Sequence, residues 1–253
     1  MAANFGAMAQ AARDAAPDLH YRVTDGTTSG EFSLTCNGQS VEDGLDPADL
    51  LFTIEKSFTV ELQRRRPDLF FLHAAVLERN GNAYVLAAAS GSGKSTTAWG
   101  MLHHGFRYLS DELCPVDLEA MRVYPYPHAL CLKRDPPMPY ALPASALRLG
   151  RTLHVAVEDL PAPIVSGPVA LGGVFLVTHR PDLSAPEMQR LGVAEASARL
   201  YVNALNALAH PNRGLEAAAR IAQHVPCFAV SSADLEATCA LVGATVDGID
   251  RTL

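Results

Sequence analysis

The sequence feature that most constrains the fold is a short stretch rich in glycine and serine at residues 90–96, Ser-Gly-Ser-Gly-Lys-Ser-Thr. With the residues before it, this stretch matches the phosphate-binding pattern G-x-x-x-x-G-K-S/T at every fixed position except the first, where Ala88 stands in place of glycine. A β-prone apolar run at residues 83–87 leads into the stretch, and a helical pattern from about residue 95 to residue 104 leads out of it. A strand, a loop and a helix in this order predict an α/β fold with the loop at the edge of a sheet.

The loop predicts a nucleotide site. Gly91 and Gly93 permit the curled backbone in which several N–H groups point inward, and the N-terminus of the following helix adds a partial positive charge. Lys94 is predicted to reach the β- and γ-phosphates, and the hydroxyl of Ser95 is predicted to ligate Mg²⁺. The predicted nucleotide-binding residues are Ser90, Gly91, Ser92, Gly93, Lys94, Ser95 and Thr96.

An acidic pair, Asp111-Glu112, begins seventeen residues after Lys94, close to the end of a short predicted strand at residues 106–109. This spacing allows one helix and one strand, so the pair is expected beside the bound phosphates. A carboxylate in that position can hold Mg²⁺ or accept the proton of an attacking hydroxyl. We predict that Asp111 shares the metal with Ser95.

A histidine, His73, lies upstream in a predicted apolar strand at residues 70–77. The dipeptide Asn80-Gly81 predicts a tight hairpin that pairs this strand with the one leading into the loop. A histidine in an apolar strand is most often a buried core residue. Its distance of 21 residues from Lys94, taken with the acidic pair downstream, makes it part of a larger pattern.

In this combination, His73, the stretch at residues 90–95, Gly105 and the pair Asp111-Glu112 resemble the catalytic core of the bacterial HPr kinase/phosphorylase family. The phosphate-loop fold of that family is shared with ATP-dependent phosphoenolpyruvate carboxykinase. The resemblance is close over residues 73–112 and loose over residues 68–240. It implies an α/β fold with a P-loop core of the HPr kinase C-terminal or phosphoenolpyruvate carboxykinase type, preceded by a small N-terminal α+β module.

The resemblance also implies an ATP-dependent serine kinase with ATP and Mg²⁺ as cofactors. Lys94 and the loop amides would hold the nucleotide, Asp111 or Glu112 would act as metal ligand and general base, and His73 would support the acidic pair. Which acid is the base stays open, because the family usually has two aspartates. The chain looks similar to smaller HPr-kinase-related proteins such as lasso-peptide precursor kinases, which implies a peptide or small-protein substrate that carries the acceptor serine.

Other functions are compatible with the phosphate loop alone. A nucleotide-binding sensor or assembly protein without phosphotransfer would need the same loop, and so would a small-molecule kinase on the same core. The acidic pair together with His73 favours transfer, because a pure sensor has no use for a base. The sequence leaves open whether the donor is ATP, GTP or pyrophosphate.

Basic residues at two predicted strand ends are further candidates for the site. Lys133 and Arg134 follow a predicted strand at residues 128–132, and Arg180 follows an apolar strand at residues 170–177. Strand ends are where α/β folds place their ligands. We predict that these three side chains contact phosphate or substrate.

The chain is predicted to have two parts, an N-terminal module at residues 1–66 and a catalytic domain at residues 67–253. The module comprises a weakly patterned, loosely docked start at residues 1–18, a hairpin of two short strands, and a helix that opens at Asp46-Pro47. We expect the module to recognise or position the substrate.

In the catalytic domain, helices are predicted at residues 192–209 and 214–224, and a last helix is predicted to be capped by Ser231 or Ser232. The proline-rich stretch at residues 135–143 is predicted to be a mobile substrate loop.

Composition excludes several classes of partner. The net charge is −7 and no run of lysine and arginine is longer than the three arginines at residues 64–66, which argues against nucleic acid and anionic membranes as partners. The sequence shows no apolar run of about 18 residues and no signal-peptide pattern, and we expect a cytoplasmic protein. The five cysteines are scattered without a C-x-x-C pair, which argues against a zinc site. A homo-oligomer is left open.

Overall fold

The computed structural model describes residues 1–9 and 17–251. The strands in chain order are β1 (Tyr21–Asp25), β2 (Phe32–Cys36), β3 (Gln39–Leu45), β4 (Leu69–Leu72), β5 (Ala74–Arg79), β6 (Asn82–Ala87), β7 (Arg107–Ser110), β8 (Cys114–Asp117), β9 (Arg122–Val123), β10 (Leu130–Leu132), β11 (Leu147–Leu149), β12 (Thr152–Val155), β13 (Val169–His179), β14 (Glu187–Arg190) and β15 (Cys227–Ser232). The helices are α1 (Ala2–Phe5), α2 (Pro47–Arg65), α3 (Lys94–His103), α4 (Val193–Val202), α5 (Leu215–His224) and α6 (Leu235–Asp250). None of the described helices is long and apolar enough to cross a membrane.

The first part of the chain forms a three-stranded antiparallel sheet, β1-β2-β3, packed against α2. The predicted hairpin is confirmed as β1 and β2. Strand β3 was not predicted, because its side chains are exposed except at its last residue and so lack an alternating pattern. Helix α2 starts as predicted, because the carboxylate of Asp46 accepts hydrogen bonds from the amides of Ala48 and Asp49. Leu34, Leu45 and Ile54 form the small core of this part.

The main sheet is organised around β13, which pairs in parallel with β6 on one side and with β15 on the other. Antiparallel strands extend the sheet outward, β5 and then β7 beyond β6, and β14 beyond β15. The first residues of β13 also pair with β9, which leads through β8 to β4. Helices α3 and α6 cover one face and α4 and α5 cover the other, as expected for parallel strands that are apolar throughout.

The predicted strand at residues 70–77 is wrong as a single element. It divides at His73 into β4 and β5, which pair with different neighbours in the sheet. The amide of His73 donates instead to the carbonyl of Asn203, at 2.8 Å, so the backbone leaves the ladder at this residue. A pattern of apolar residues cannot show such a break, because both strands are buried.

The predicted helix at residues 192–209 ends at Val202, seven residues early. The chain then forms a bridge between Ala204 and Leu72 at the edge of β4. Asn206 completes this contact, because its side chain accepts from the amide of Phe71 and donates to the carbonyl of Leu69. Pairing with the sheet edge therefore replaces the last two turns of helix.

The predicted cap of the last helix is also wrong. Ser231 and Ser232 are still part of β15, paired with the end of β13. The cap is Asp234, whose carboxylate accepts a hydrogen bond from the amide of Ala237. The serines resemble a cap in sequence, but strand pairing engages their backbone.

The proline-rich stretch at residues 135–143 has no helix or strand, as predicted. It is anchored at Tyr140, whose side chain is buried and whose carbonyl accepts a hydrogen bond from the indole N–H of Trp99 on α3. A core tryptophan therefore anchors the loop near its centre, and a mobile substrate loop at these residues stays a prediction.

A buried polar cluster joins the beginning of the chain to the main body. The amide nitrogen Nδ2 of Asn4, on α1, lies 2.5 Å from Oε1 of Glu55 on α2 and 2.9 Å from Nδ1 of His154 on β12. Nε2 of His128 lies 2.9 Å from the same Glu55 oxygen. Residues 1–9 are therefore docked, contrary to the prediction of a loose start, while residues 10–16 of that prediction lie outside the described residues.

We expect Glu55→Ala to lower the free energy of unfolding by about 1–3 kcal/mol, because it leaves buried donors on Asn4 and His128 without an acceptor. Burial alone would raise the pKa of Glu55, but its hydrogen bonds with His128 and Asn4 bring the pKa below its ordinary value. The stabilisation is therefore fully present above about pH 5 and is lost progressively as the pH falls through the lowered pKa of the folded protein. Urea unfolding at about pH 7 and about pH 3 measures both effects.

The matched control is Glu61→Ala on the same helix, which removes an exposed pair with Arg64 and should change stability by less than about 0.5 kcal/mol. Equal effects of the two substitutions would contradict a structural role for the cluster.

Candidate active site

The loop between β6 and α3 has the curled backbone that its glycines predicted. Gly91 and Gly93 both have positive φ angles, +83° and +91°, which disfavour any residue with a side chain. The amide of Ser92 donates to the carbonyl of Ala89 at 3.0 Å and closes the turn. Gly93 occupies the N-cap position of α3 without a side-chain cap, so the first N–H groups of the helix remain available to an anion.

Lys94 lies at the centre of the site. Its ammonium contacts Oδ1 of Asp111 and lies 3.2 Å from Oε1 of Glu112 and 3.3 Å from Oγ of Ser95. Burial alone would lower the pKa of Lys94, but the two carboxylates outweigh burial and hold the pKa above its ordinary value. The lysine is therefore charged, as phosphate binding requires.

Asp111 is fully buried behind the lysine. Its Oδ1 also accepts from the amide of Glu112 at 3.1 Å, and its Oδ2 accepts from the amide of Cys131 at 3.2 Å. Both oxygens are thus engaged, and Asp111 is not among the described residues that line the adjacent cavity. Its assignment as a Mg²⁺ ligand stays a prediction; its geometry is that of a buried counter-ion for Lys94.

Glu112 faces the cavity and forms a close pair with His73. Nε2 of His73 lies 2.6 Å from Oε2 of Glu112. Burial tends to raise the pKa of Glu112, but the hydrogen bond from His73 and the charge of Lys94 lower it to about 2. Glu112 has a φ of +74°, a strained conformation for a residue other than glycine, of a kind that is concentrated at functional sites.

These groups border a cavity of about 520 Å³, which is within the usual range for a small-molecule site. Lys133 and Arg134 also line it, and Nζ of Lys133 donates to Oγ of Ser90 at 2.6 Å; their contact with phosphate or substrate stays a prediction. The predicted residues that line the cavity are His73, Ser90, Gly91, Gly93, Lys94, Ser95, Thr96, Glu112, Lys133 and Arg134.

Besides Asp111, two predicted residues lie apart from the cavity wall among the described residues. Ser92 is in the loop but does not line the cavity. Arg180 is exposed and pairs with Asp182, with nitrogen–oxygen distances of 3.0 and 2.7 Å. The preceding residue, His179, lines the cavity instead.

Sequence reasoning missed the part of the wall formed by residues 232–235 and Thr238. These residues are about 140 positions from the loop, and they reach it because β15 lies beside β13. The only sequence signal was that they follow a buried strand, which is where α/β folds place their sites.

The oxygen-rich set around the loop fits a magnesium nucleotide. The Ser95 hydroxyl and the Glu112 carboxylate both line the cavity, and hard oxygen donors of this kind suit Mg²⁺. Among the described residues, no group of three histidine, cysteine or acidic side chains could hold a metal by itself. A Mg²⁺ ion that takes most of its ligands from water and phosphate is consistent with this site.

No family model matches the chain, and no curated protein matches it. Among solved structures, the chain is similar to the Hpr(Ser) kinase/phosphatase from Coxiella burnetii, with a TM-score of 0.36 and 12% sequence identity. The alignment covers 72% of this chain and 96% of that one. A similarity of this degree is too remote to assign an activity, so the function has to be inferred from the cavity itself.

We expect Lys94→Met to destabilise the fold by about 3–5 kcal/mol, because it leaves the buried carboxylate of Asp111 without its counter-charge. The double variant Lys94→Met/Asp111→Asn removes the unpaired charge and should recover a large part of this loss. Urea unfolding of the single and double variants measures the difference. If the double variant is no more stable than Lys94→Met, the ion pair is not what stabilises this part of the core.

Proposed function

We propose that this protein is an ATP-dependent phosphotransferase that moves the γ-phosphoryl group to a serine hydroxyl of a peptide or small protein. The observation that supports this function is that a phosphate-binding loop and a carboxylate–imidazole pair, Glu112 and His73, line one cavity. The loop and Lys94 supply the anion site. The Glu112–His73 pair supplies what a sensor would not need, a group that can orient a hydroxyl and take its proton.

Nucleotide binding would change the partner of Lys94. The phosphates would occupy the nest formed by Gly91, Gly93 and the start of α3, within reach of the Lys94 ammonium. Lys133 and Arg134, which also line the cavity, would add positive charge. Ser95 would hold Mg²⁺, which supplies charge neutralisation for the phosphates when bound, and Glu112 or Asp111 would complete the protein ligands.

Glu112 is the better placed of the two acids to serve as the base, because it faces the cavity whereas both oxygens of Asp111 are engaged. As Lys94 turns toward the phosphates, Glu112 loses part of its counter-charge and becomes more basic. Its carboxylate then accepts the proton of the serine hydroxyl. The serine oxygen forms a bond to the γ-phosphorus, the bond to the bridging β,γ-oxygen breaks, and ADP leaves. His73 keeps the carboxylate oriented.

We expect Glu112→Gln to lower phosphate transfer by about 100-fold or more while nucleotide affinity stays within about threefold, because the loop and Lys94 are unchanged. The assay follows label from γ-labelled ATP to a library of serine-containing peptides, and calorimetry gives the affinity. Glu119→Gln, in an exposed turn, is the matched control.

Two outcomes would contradict the proposal. Transfer that survives Glu112→Gln would remove the base from the mechanism. Wild-type protein that binds ATP but transfers phosphate neither to peptides nor to small hydroxylated molecules would be a nucleotide sensor.

We expect His73→Ala to raise the pKa of Glu112 from about 2 toward its ordinary value, because the hydrogen bond from His73 is the main contact that lowers it. The wild-type carboxylate stays ionised throughout the accessible range, whereas the variant gains a proton as the pH falls to about 4 and below. The value of kcat/KM measured from about pH 3.5 to pH 8 should therefore fall on the acid side in the variant alone. Parallel acid limbs in the two proteins, with circular dichroism showing both folded, would exclude this role for His73.

A further inference from the structure

A second cavity of about 420 Å³ adjoins the nucleotide cavity. Both cavities are lined by His73, Ala89 and Ser90, so they meet at the phosphate loop and at the histidine that pairs with Glu112. We call the second cavity the side groove. Its lining also includes buried residues at the ends of β6 and β13 and exposed residues at the end of α4.

The side groove presents apolar side chains on both its floor and its rim. Ala88, Leu176 and Val177 of the floor are at most 6% exposed, whereas Val202 and Leu205 of the rim are 82% and 45% exposed. Large apolar side chains left this open beside a cavity are typical of a surface that another molecule covers.

The residues that line the side groove do not favour a charged ligand. Among the described residues that line the groove, Arg199 carries a permanent positive charge. Its guanidinium pairs with Glu195 on the preceding turn of α4, at 2.6 Å. Asn203 and Thr178 remain at the groove as uncharged polar groups. The groove therefore suits an apolar side chain, with polar groups nearby for a peptide backbone.

The rim of the side groove and His73 belong to one backbone-bonded unit. The amide of His73 donates to the carbonyl of Asn203, and the amide of Leu205 donates to the carbonyl of Phe71, both at 2.8 Å. The side chain of Asn206 adds two further bonds to the same strand. A ligand held against Val202 and Leu205 is thus in fixed register with the histidine.

We propose that the side groove binds the acceptor segment and selects a bulky apolar side chain near the acceptor serine. The proposal rests on the function proposed above, since a bound nucleotide would fill the larger cavity and leave the side groove as a route to the carboxylate. A chain in the groove enters the larger cavity at His73, so a hydroxyl one or a few residues along it meets Glu112. This continuity favours a peptide segment over a second copy of the protein resting on the rim alone.

The experiment uses the full-length protein and a positional-scanning library of peptides with one central serine. Phosphate transfer is read with labelled ATP, and peptide retention is read separately with a non-hydrolysable ATP analogue. The variants are Val202→Asp and Leu205→Ser in the groove. Leu208→Asp is the matched control, because Leu208 is 83% exposed on the same connecting segment and is not among the groove residues of the described chain. Analogue affinity and circular dichroism establish that each variant is folded.

We expect enrichment of bulky apolar residues at one position near the serine. Val202→Asp and Leu205→Ser should each weaken retention, and raise KM for transfer, by about tenfold or more, the factor typical of losing one apolar anchor. Leu208→Asp and the affinity for the analogue should stay unchanged.

The failures of the two proposals are distinguishable. If transfer shows no preference for apolar residues, or is unchanged in both groove variants, the side-groove proposal is overturned and the proposed kinase function is unaffected. Selective retention that is lost in the groove variants, without transfer to any peptide, supports the groove and overturns the kinase function. If the protein shows neither retention of a peptide nor transfer to one, both proposals are overturned. The side-groove proposal is also overturned if Leu208→Asp weakens retention and transfer as much as the groove variants do. It is overturned as well if the protein shows no peptide preference but dimerises with rising concentration and Val202→Asp abolishes the dimer, because the exposed rim then serves another contact.

Discussion

The structure depends most on one buried charge arrangement, the ammonium of Lys94 between the carboxylates of Asp111 and Glu112. A buried charge is tolerated only when a partner and hydrogen bonds compensate for the water that it loses. Asp111 meets that requirement with backbone amides on both oxygens. The arrangement links the helix after the glycine-rich loop to the strand that ends at Ser110, and thereby fixes the distance between that loop and the acidic pair.

The same carboxylate connects the site to the beginning of the chain. The amide of Cys131 donates a hydrogen bond to Asp111, and the sulfur of Cys131 lies 3.2 Å from Nδ1 of His154. His154 in turn belongs to the buried cluster that includes Asn4 and Glu55. A continuous chain of polar contacts therefore runs from α1 and α2 to the cavity, and the N-terminal part of the chain is built into the support of the site.

The features predicted correctly from sequence are those fixed by short spacing. The positive φ angles at Gly91 and Gly93, the start of α2, and the placement of Asp111 beside Lys94 all follow from residues within one strand–helix–strand unit. The break at His73 and the early end of α4 depend on each other, because each satisfies the backbone of the other across 130 residues. No local pattern carries that information, and the same is true of the wall that β15 brings to the cavity.

Trp99 is the single tryptophan of the chain. Its ring is buried on α3 just beyond the phosphate loop, edge-on to His103 at 5.0 Å, and its N–H is bonded to the proline-rich segment. Intrinsic fluorescence excited at the indole therefore comes from one defined position, where α3 packs against the proline-rich segment. The protein carries its own optical reporter for movement of that segment, with no label and no competing signal from a second indole.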